Sequence, residues 1–493
     1  MLRRRRWLAS SRRPYRPRAC LLGLALAAGL AACGYERALA PSQHRETVLM
    51  TEADDARAGE EQAQAVAAEM GLVSDPRLQA LVQTVGERLA RQAPPRAFVY
   101  RFQIVDQWSP NAFALPGGAV FVSRGALALT SSEDELAGVL GHEIAHVALR
   151  HAAARQAVER GLGPFALGFG GARYLAAFSR EQESEADEEG QRIAAAAGYD
   201  PRGLATFLQK LRNSERLLLG ASRLPTFFDT HPATGTRFAD MATSAEHLTW
   251  RRTPGVAGDA ASYVARLEGL VVGDDPSEGF FRGNRFLHPD LDFTLVFPDG
   301  WMPVNTPAAV GAVAPQGNAR VALELAAEGT DPQTVAREFL RVDAPRMHAV
   351  VDDARPITIS GLPGYQVSGR LPTPGGLIAG RITWLGYHGR VFELSAAAVG
   401  AASGESLDLT RIALRSFRPL TAEERRAVQV MRLHVAHAHQ GETLADVARR
   451  AKSALDLERT ALANGVFPET RLAPGTPVKV AVAEAYVSPA AAQ

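Results

Sequence analysis

The apolar positions of the chain change spacing twice. Residues 52–95 are rich in Ala, Glu and Gln, with Leu78, Leu81, Val85 and Leu89 recurring at spacings of three and four. That period predicts a helical stretch with one face turned to a core. Phe98 to Val105 and Ala119 to Ser123 read as strands, the second following the turn Leu115-Pro-Gly-Gly118. A long helix comes next: Ser132 and Glu135 have capping-box spacing, and Leu136, Leu140, Ile144 and Val147 form its buried stripe. Further helices are predicted from 179 to 250. Past Gly255 short apolar runs (Phe293 to Phe297, Val321 to Leu325, Val391 to Leu394) alternate with Pro and Gly turns around one helix near 332–348. This is the texture of a separate α+β unit. A charged helix over 421–432 leads to a last segment at 433–482. No tandem repeat is present.

Composition changes the picture mainly at the front. The 493 residues are 46% hydrophobic and 22% charged, enough for two or three domains and too apolar for wholesale disorder. Two cysteines exclude a disulfide scaffold and a Cys-rich zinc ribbon. The net charge of +1 conceals eight Arg within the first 18 residues; without them 46 basic residues face 53 acidic ones, a balance of −7. A mildly acidic body argues against a polyanion surface, and no nucleic-acid partner is expected. Behind the Arg stretch, Leu21 to Ala32 is an uncharged apolar run of 12 residues. It is shorter than the roughly 20 residues a bilayer span needs and has the size of a signal-peptide core. The run ends in Leu30-Ala31-Ala32-Cys33, which resembles a bacterial lipobox. The resemblance implies that residues 1–32 are a lipoprotein signal, that Cys33 is lipidated, and that 33–51 form a polar linker. Gly34 after the Cys then implies an outer-membrane anchor facing the periplasm.

The candidate chemistry sits on the long helix, in His142-Glu143-Ile144-Ala145-His146. Residues four apart on a helix lie about 40° apart in projection, so both imidazoles reach one metal ion. Glu143, beside a ligand, is placed to take a proton from a bound water. A catalytic site needs a third protein donor. His151 lies nine residues after His142, about 900° around a continuing helix and half a turn off the ligand face, so it reads as structural. A downstream carboxylate is the alternative. In Arg180 to Asp187 both Glu183 with Asp187 and Glu181 with Glu185 offer one acid to the metal and another, four residues on, to orient an imidazole. Spacing leaves the two pairs tied.

Asn111-Ala-Phe-Ala-Leu-Pro-Gly-Gly118, His142-Glu-Ile-Ala-His146 with Arg150-His151, Glu183-Ser-Glu-Ala-Asp187, and Thr230-His231-Pro232 with Arg237 follow one another in order. Together they resemble the M48 (Ste24-like, gluzincin) zinc metalloproteases over residues 45–250. The resemblance implies a mainly helical zincin-type domain over 52–255 with a small edge-strand sheet. It implies one zinc ion per chain held by His142, His146 and Glu183, Asp187 and Arg237 as supporting residues, and protein or peptide substrates. It gives Glu143 and His231 catalytic parts, His231 either as an extra ligand at rest or as a donor to the oxyanion. Asn111, Ala112, Phe113 and Ala114 would form the edge that pairs with an extended substrate. The Gly-rich stretch 161–171 departs from the family and reads as close helix packing, a lid or a membrane-interface segment.

Residues 286–420 are similar to PsbP-like α/β domains and carry no nucleophile constellation. Val435, Gly441-Glu-Thr-Leu444, Leu462-Ala-Asn-Gly465 and Val478-Lys-Val480 resemble a LysM module of βααβ form over 433–482, which implies peptidoglycan as a partner. His434, His437 and His439 fit a strand-edge surface there. Residues 256–285 and 421–432 are expected as helical linkers and 483–493 as a tail. The expected whole is an α+β multidomain zinc metalloendopeptidase of the cell envelope, acting on misfolded or misassembled envelope proteins and joined to the membrane by its lipid anchor. A chaperone-like assembly factor, or a wall-binding scaffold with a vestigial protease, are the competing readings.

Overall fold

The structure is a computed structural model and describes residues 51–151, 178–217, 227–231, 235–253, 259–329, 331–373, 376–400 and 403–488. The expected signal peptide, Cys33, the Gly-rich stretch 161–171 and Pro232 lie outside the described residues. Among the described residues no helix is long and apolar enough to cross a membrane.

The first region is helical around a small sheet. Helix α1 (Glu52–Met70) starts at a capping box between Thr51 and Asp54, and α2 (Pro76–Ala90) starts at Asp75 with Pro76 in its first turn. The predicted stripe Leu78, Leu81, Val85 and Leu89 is buried. Strands β1 (Arg101–Val105), β2 (Ala112–Ala114) and β3 (Ala119–Ser123) form a sheet of order β1-β3-β2, parallel between β1 and β3 and antiparallel between β2 and β3. A short α3 (Arg124–Leu129) leads to α4 (Glu133–Ala148), in which every residue but Asp134 is buried. Ser132 Oγ caps α4 by accepting the Glu135 N–H at 3.2 Å. The Glu135 carboxylate does not close the expected box; it accepts from Ser131 N–H at 2.9 Å and from Lys210 Nζ at 2.7 Å.

On α4 pack α5 (Arg180–Ala196) and α6 (Gly203–Leu217); α7 (Phe227–Thr230) follows, and α8 (Gly235–His247) packs on α5 and α6. Gly190 of α5 lies so close to α4 that a Cβ there would stand 2.9 Å from the His142 backbone. Only glycine permits that approach, and it brings the acids of α5 against the His-bearing helix.

The stretch expected as a helical linker over 256–285 is different. Its described residues hold one short α-helix, α9 (Ala260–Ala265), a 3-10 turn at Pro276–Glu278, and the strands β4 (Val271–Val272) and β5 (Phe280–Arg282), which join separate sheets. Val271-Val272 is a β-branched pair between Gly269 and Gly273, both at positive φ, so the segment is built for a short strand between turns. The region after it has a four-stranded sheet of order β15-β7-β6-β5, where β6 is Arg285–His288, β7 Phe293–Val296 and β15 Arg418–Pro419. It also has a seven-stranded antiparallel sheet of order β11-β12-β13-β14-β10-β9-β8. Those strands are β8 (Met302–Asn305), β9 (Ala309–Val313), β10 (Ala319–Glu328), β11 (Val350–Ile359), β12 (Leu362–Thr373), β13 (Gly376–Tyr387) and β14 (Arg390–Val399). Phe286, Phe293, Phe392 and Phe417 share its core, and α10 (Pro332–Glu338), α11 (Ser403–Leu409) and α12 (Arg411–Ser416) pack on the sheets.

The second expected helical linker is also shorter: α13 (Ala422–Arg426) stops early and β16 (Gln429–His437) has begun by Gln429. The last segment runs β16, α14 (Leu444–Arg450), α15 (Leu457–Asn464), β17 (Pro477–Ala485), a βααβ order. Its sheet has a third strand, β4 (Val271–Val272) from the stretch 256–285. Leu433 and Ala481 belong to the same core as Leu136 and Tyr263, so the segment packs directly on the helical region. His434 is held between Glu268 at 2.7 Å and Glu484 at 3.0 Å across that junction.

Candidate metal centre

One turn of α4 separates His142 from His146, and their Nε2 atoms lie 3.0 Å apart. Glu183 of α5 brings Oε1 to 3.4 Å from His146 Nε2 and Oε2 to 3.7 Å from His142 Nε2. His231, just past α7, places Nδ1 2.8 Å from Glu183 Oε1 and 3.2 Å from His142 Nε2. All four side chains are buried, and one ligand atom from each lies within 4.8 Å of the others. Three imidazole nitrogens and one carboxylate oxygen, converging where water is excluded, are a donor set that fits a transition-metal ion.

The next layer holds the donors in place. Asp187 Oδ1 lies 3.0 Å from His142 Nδ1, which leaves Nε2 to the centre. Arg237 from α8 grips Asp187 through Nε (2.6 Å) and a second guanidinium nitrogen (2.8 Å), reaches Glu183 Oε2 at 2.8 Å and donates to the His231 carbonyl at 3.3 Å. Its planar fork ties α5, α8 and the His231 turn together. Glu143, one residue after a donor, is fully buried with Oε1 3.4 Å from His231 Nε2. Burial alone would raise both acids of α5. The histidines, charged or hydrogen-bonded beside Glu183, hold it far below the usual carboxylate range, while the His142 and Arg237 bonds lower Asp187. Burial drives His146 well below an ordinary imidazole. At His142 the same penalty is outweighed by Asp187 and Glu183, and its pKa is raised.

The geometry brings Glu183 and Asp187 into the centre; Glu181 faces solvent, and the exposed Glu185 reaches His151 instead. Spacing could not have separated these pairs, because the rotation of α5 about its axis is set by packing at Gly190. Asn111 donates its N–H to Ser123 Oγ at 2.8 Å, and Ala112, Phe113 and Ala114 form the buried edge strand β2, with Phe113 stacked on Phe121. Two residues escaped notice. Phe178 stacks on His146 at a centroid distance of 3.9 Å, and Phe227 stacks on His231 at 4.2 Å while donating its N–H to the Pro110 carbonyl. An aromatic residue five positions before Glu183, or four before His231, carries no motif that marks it. His151 is not off the ligand side as its phase predicted: its Nδ1 lies 3.0 Å from His146 Nδ1.

Comparison with known proteins bears on the same stretch. Residues 74–172 and 165–245 match the model of peptidase family M48. The beta-barrel assembly-enhancing protease of Yersinia pestis is 30% identical over 201 residues, covering 36% of this chain and 41% of that protein. The mitochondrial metalloendopeptidase OMA1 of Schizosaccharomyces pombe is 34% identical over 155 residues, covering 28% of this chain and 44% of that one. The chain thus spans less than half the length of these curated relatives. Among solved structures, cyanobacterial PsbP from Synechocystis aligns with 30% of this chain and 98% of its own at 12% identity and a TM-score of 0.24, too weak a likeness to assign a fold. The His142, His146 and Glu183 donors all lie inside the stretch that matches the model of peptidase family M48.

Proposed function

We propose that this chain is a zinc-dependent metalloendopeptidase of the bacterial cell envelope that cuts peptide bonds in misfolded or misassembled envelope proteins. The observation that carries the reading is the buried convergence of His142, His146 and Glu183 with Glu143 one residue along the same helix. Bound there, zinc would supply a Lewis acid and lower the pKa of a water molecule. Glu143 takes the proton of the attacking water and passes it to the leaving amine. Asp187 and Arg237 hold His142 and Glu183 in the orientation their roles need. His231 stands as a fourth donor at rest, and with its Nε2 turned toward Glu143 it is also placed to donate to developing negative charge. An extended peptide pairs along the edge at Asn111, Ala112, Phe113 and Ala114.

The envelope location draws support from the name of the Yersinia pestis relative, a beta-barrel assembly-enhancing protease. We further read Cys33 as a lipid anchor at the outer membrane facing the periplasm. The βααβ segment is read as a LysM-like module for peptidoglycan, and residues 286–420 as an accessory positioning domain.

The deciding experiment is Glu143→Gln in the full chain. Its expected outcome is retained zinc by metal analysis together with a loss of cleavage of an unfolded substrate protein by roughly 10²- to 10⁴-fold. Unchanged cleavage would sink the assignment. The same variant, still binding but not cutting, is the tool with which to trap substrates from an envelope extract.

A further inference from the structure

We propose that His151 is a positioning residue of the metal centre, fixing the tautomer and ring orientation of His146, and that an ion pair between Asp55 and Arg150 holds the turn that brings it there. The inference rests on reading His142, His146 and Glu183 as metal donors.

The chain leaves α4 at Ala148, and Arg150 adopts a φ of +60°. A non-glycine residue keeps that left-handed conformation only where its surroundings hold it. Here the Arg150 guanidinium binds Asp55 of α1 through Nε at 2.8 Å and a second nitrogen at 2.7 Å, and Asp55 is buried. The Arg150 N–H also donates to the Val147 carbonyl at 3.0 Å. A continuing helix would carry the next side chain to the far side; the left-handed residue breaks that phase, and the His151 ring lies against His146.

The contact is between two Nδ1 atoms 3.0 Å apart, so one must donate and the other accept. His146 Nε2 faces Glu183 and His142, and as a metal donor it must offer a lone pair there. The proton of His146 then resides on Nδ1 and is donated to His151 Nδ1. His151 in turn carries its own proton on Nε2, 3.2 Å from Glu185 Oε2, which accepts it. Each donor histidine of α4 is thus tied back to α5: His142 directly to Asp187, His146 through His151 to Glu185. Phe178 stacked on the His146 ring restricts the remaining rotation.

The test uses the full chain and reads the metal, not proteolysis. Zinc affinity is measured by competition with a chromophoric chelator, and the geometry of the centre by the visible spectrum of the cobalt(II) form. His151→Ala is expected to weaken zinc binding 10- to 100-fold and to change the cobalt spectrum. His151→Asn, whose side-chain oxygen can accept where Nδ1 does, should recover most of the affinity. Glu185→Gln should have a smaller effect, since Glu185 is 66% exposed. Affinity and spectrum unchanged in His151→Ala would overturn the inference, as would His151→Asn performing no better than His151→Ala. If His151→Ala fails to fold, His151→Leu, which fills the space but cannot accept the His146 proton, takes its place: wild-type affinity and spectrum in His151→Leu, or His151→Asn performing no better than it, overturns the proposal. A wild-type chain that binds zinc without cutting protein would sink the peptidase reading and leave this one standing, whereas a wild-type chain that takes up neither zinc nor cobalt would overturn both.

Discussion

Arg237 and Lys479 are both buried cations, 6% and 2% exposed, and their surroundings push them in opposite directions. Arg237 sits in the metal centre between two carboxylates. Burial opposes its charge, but the bonds to Asp187 and the charge of Glu183 win, and its pKa is raised. Lys479 sits where β17 meets the start of α4. Its Nζ donates to the backbone carbonyls of Ala128 at 2.9 Å and Thr130 at 2.7 Å and to Ser131 Oγ at 3.2 Å. Those partners are neutral. Burial, with Lys210 adding repulsion and Glu135 only partly offsetting it, drives the lysine well below its ordinary pKa. A buried charge is therefore supported by the charge of its partners, while hydrogen bonds donated to neutral acceptors satisfy its geometry without offsetting its desolvation. The metal centre uses charge pairs to hold donors ionised and oriented. The seam uses a lysine as a clamp on carbonyl groups next to the turn that starts α4.

The comparison breaks most sharply at Arg237. Arg237→Met leaves Asp187 and Glu183 buried without their cation and should cost roughly 3–5 kcal/mol in a denaturation measurement. Arg237→Lys should recover little of it, because one ammonium cannot reproduce the fork. A loss below 1 kcal/mol, on the scale of an exposed pair, would show that the carboxylates find other partners. Next in size, Asp187→Asn should weaken zinc binding about 10- to 100-fold by chelator competition, by disturbing the orientation of His142. At the seam, Lys479→Met removes the clamp and should cost about 2 kcal/mol, the scale of buried acceptors left unmatched.

The pH dependence of the seam has a definite sign. Lys479 binds its proton less tightly when folded than when unfolded, so between its lowered folded pKa and the ordinary lysine value the unfolded chain holds more protons. Stability from this group rises as pH climbs through that window. Melting curves from pH 7 to 10 should therefore show a positive slope contribution that Lys479→Met removes; an identical slope in the variant would mean that the lysine stays charged in the fold. The smallest effect belongs to a half-exposed pair. Glu424 is held down to about 2 by its bond to Arg418, a contribution present above the ordinary Glu pKa and lost as pH falls toward 2. Solvent screening should keep Glu424→Gln below about 1 kcal/mol.

Much of the centre was legible because it is written within single helices. The four-residue step from His142 to His146 and the Ser132 cap depend only on helical geometry. Glu183 and Glu181 were indistinguishable because nothing within α5 says which way it is rotated. That is decided by Gly190 against His142 and by Arg237, 50 residues along the chain from Asp187. His151 is outside the donor group as expected, but the side on which it lies was misjudged for a related reason: its phase was counted along a helix that ends before it, and a left-handed Arg150 held by Asp55, 95 residues away, resets the direction. The linker over 256–285 departs from expectation partly in the same manner, since the Val271-Val272 strand finds its pairing partners in Arg432 and Met431, about 160 residues along the chain.

By itself, then, the amino-acid order determined which groups could do chemistry: two imidazoles and a glutamate at fixed positions on one helix, with acids to follow. It also determined the helices and strands whose periodicity is local. Tertiary structure decided which acid faces the histidines, which residues buttress them, and how the last segment is joined to the helix that bears them. The division follows from range. Helical spacing and caps are set by backbone geometry over a few residues, whereas the rotation of a helix and the partner of a buried charge depend on residues brought together only when the chain has folded.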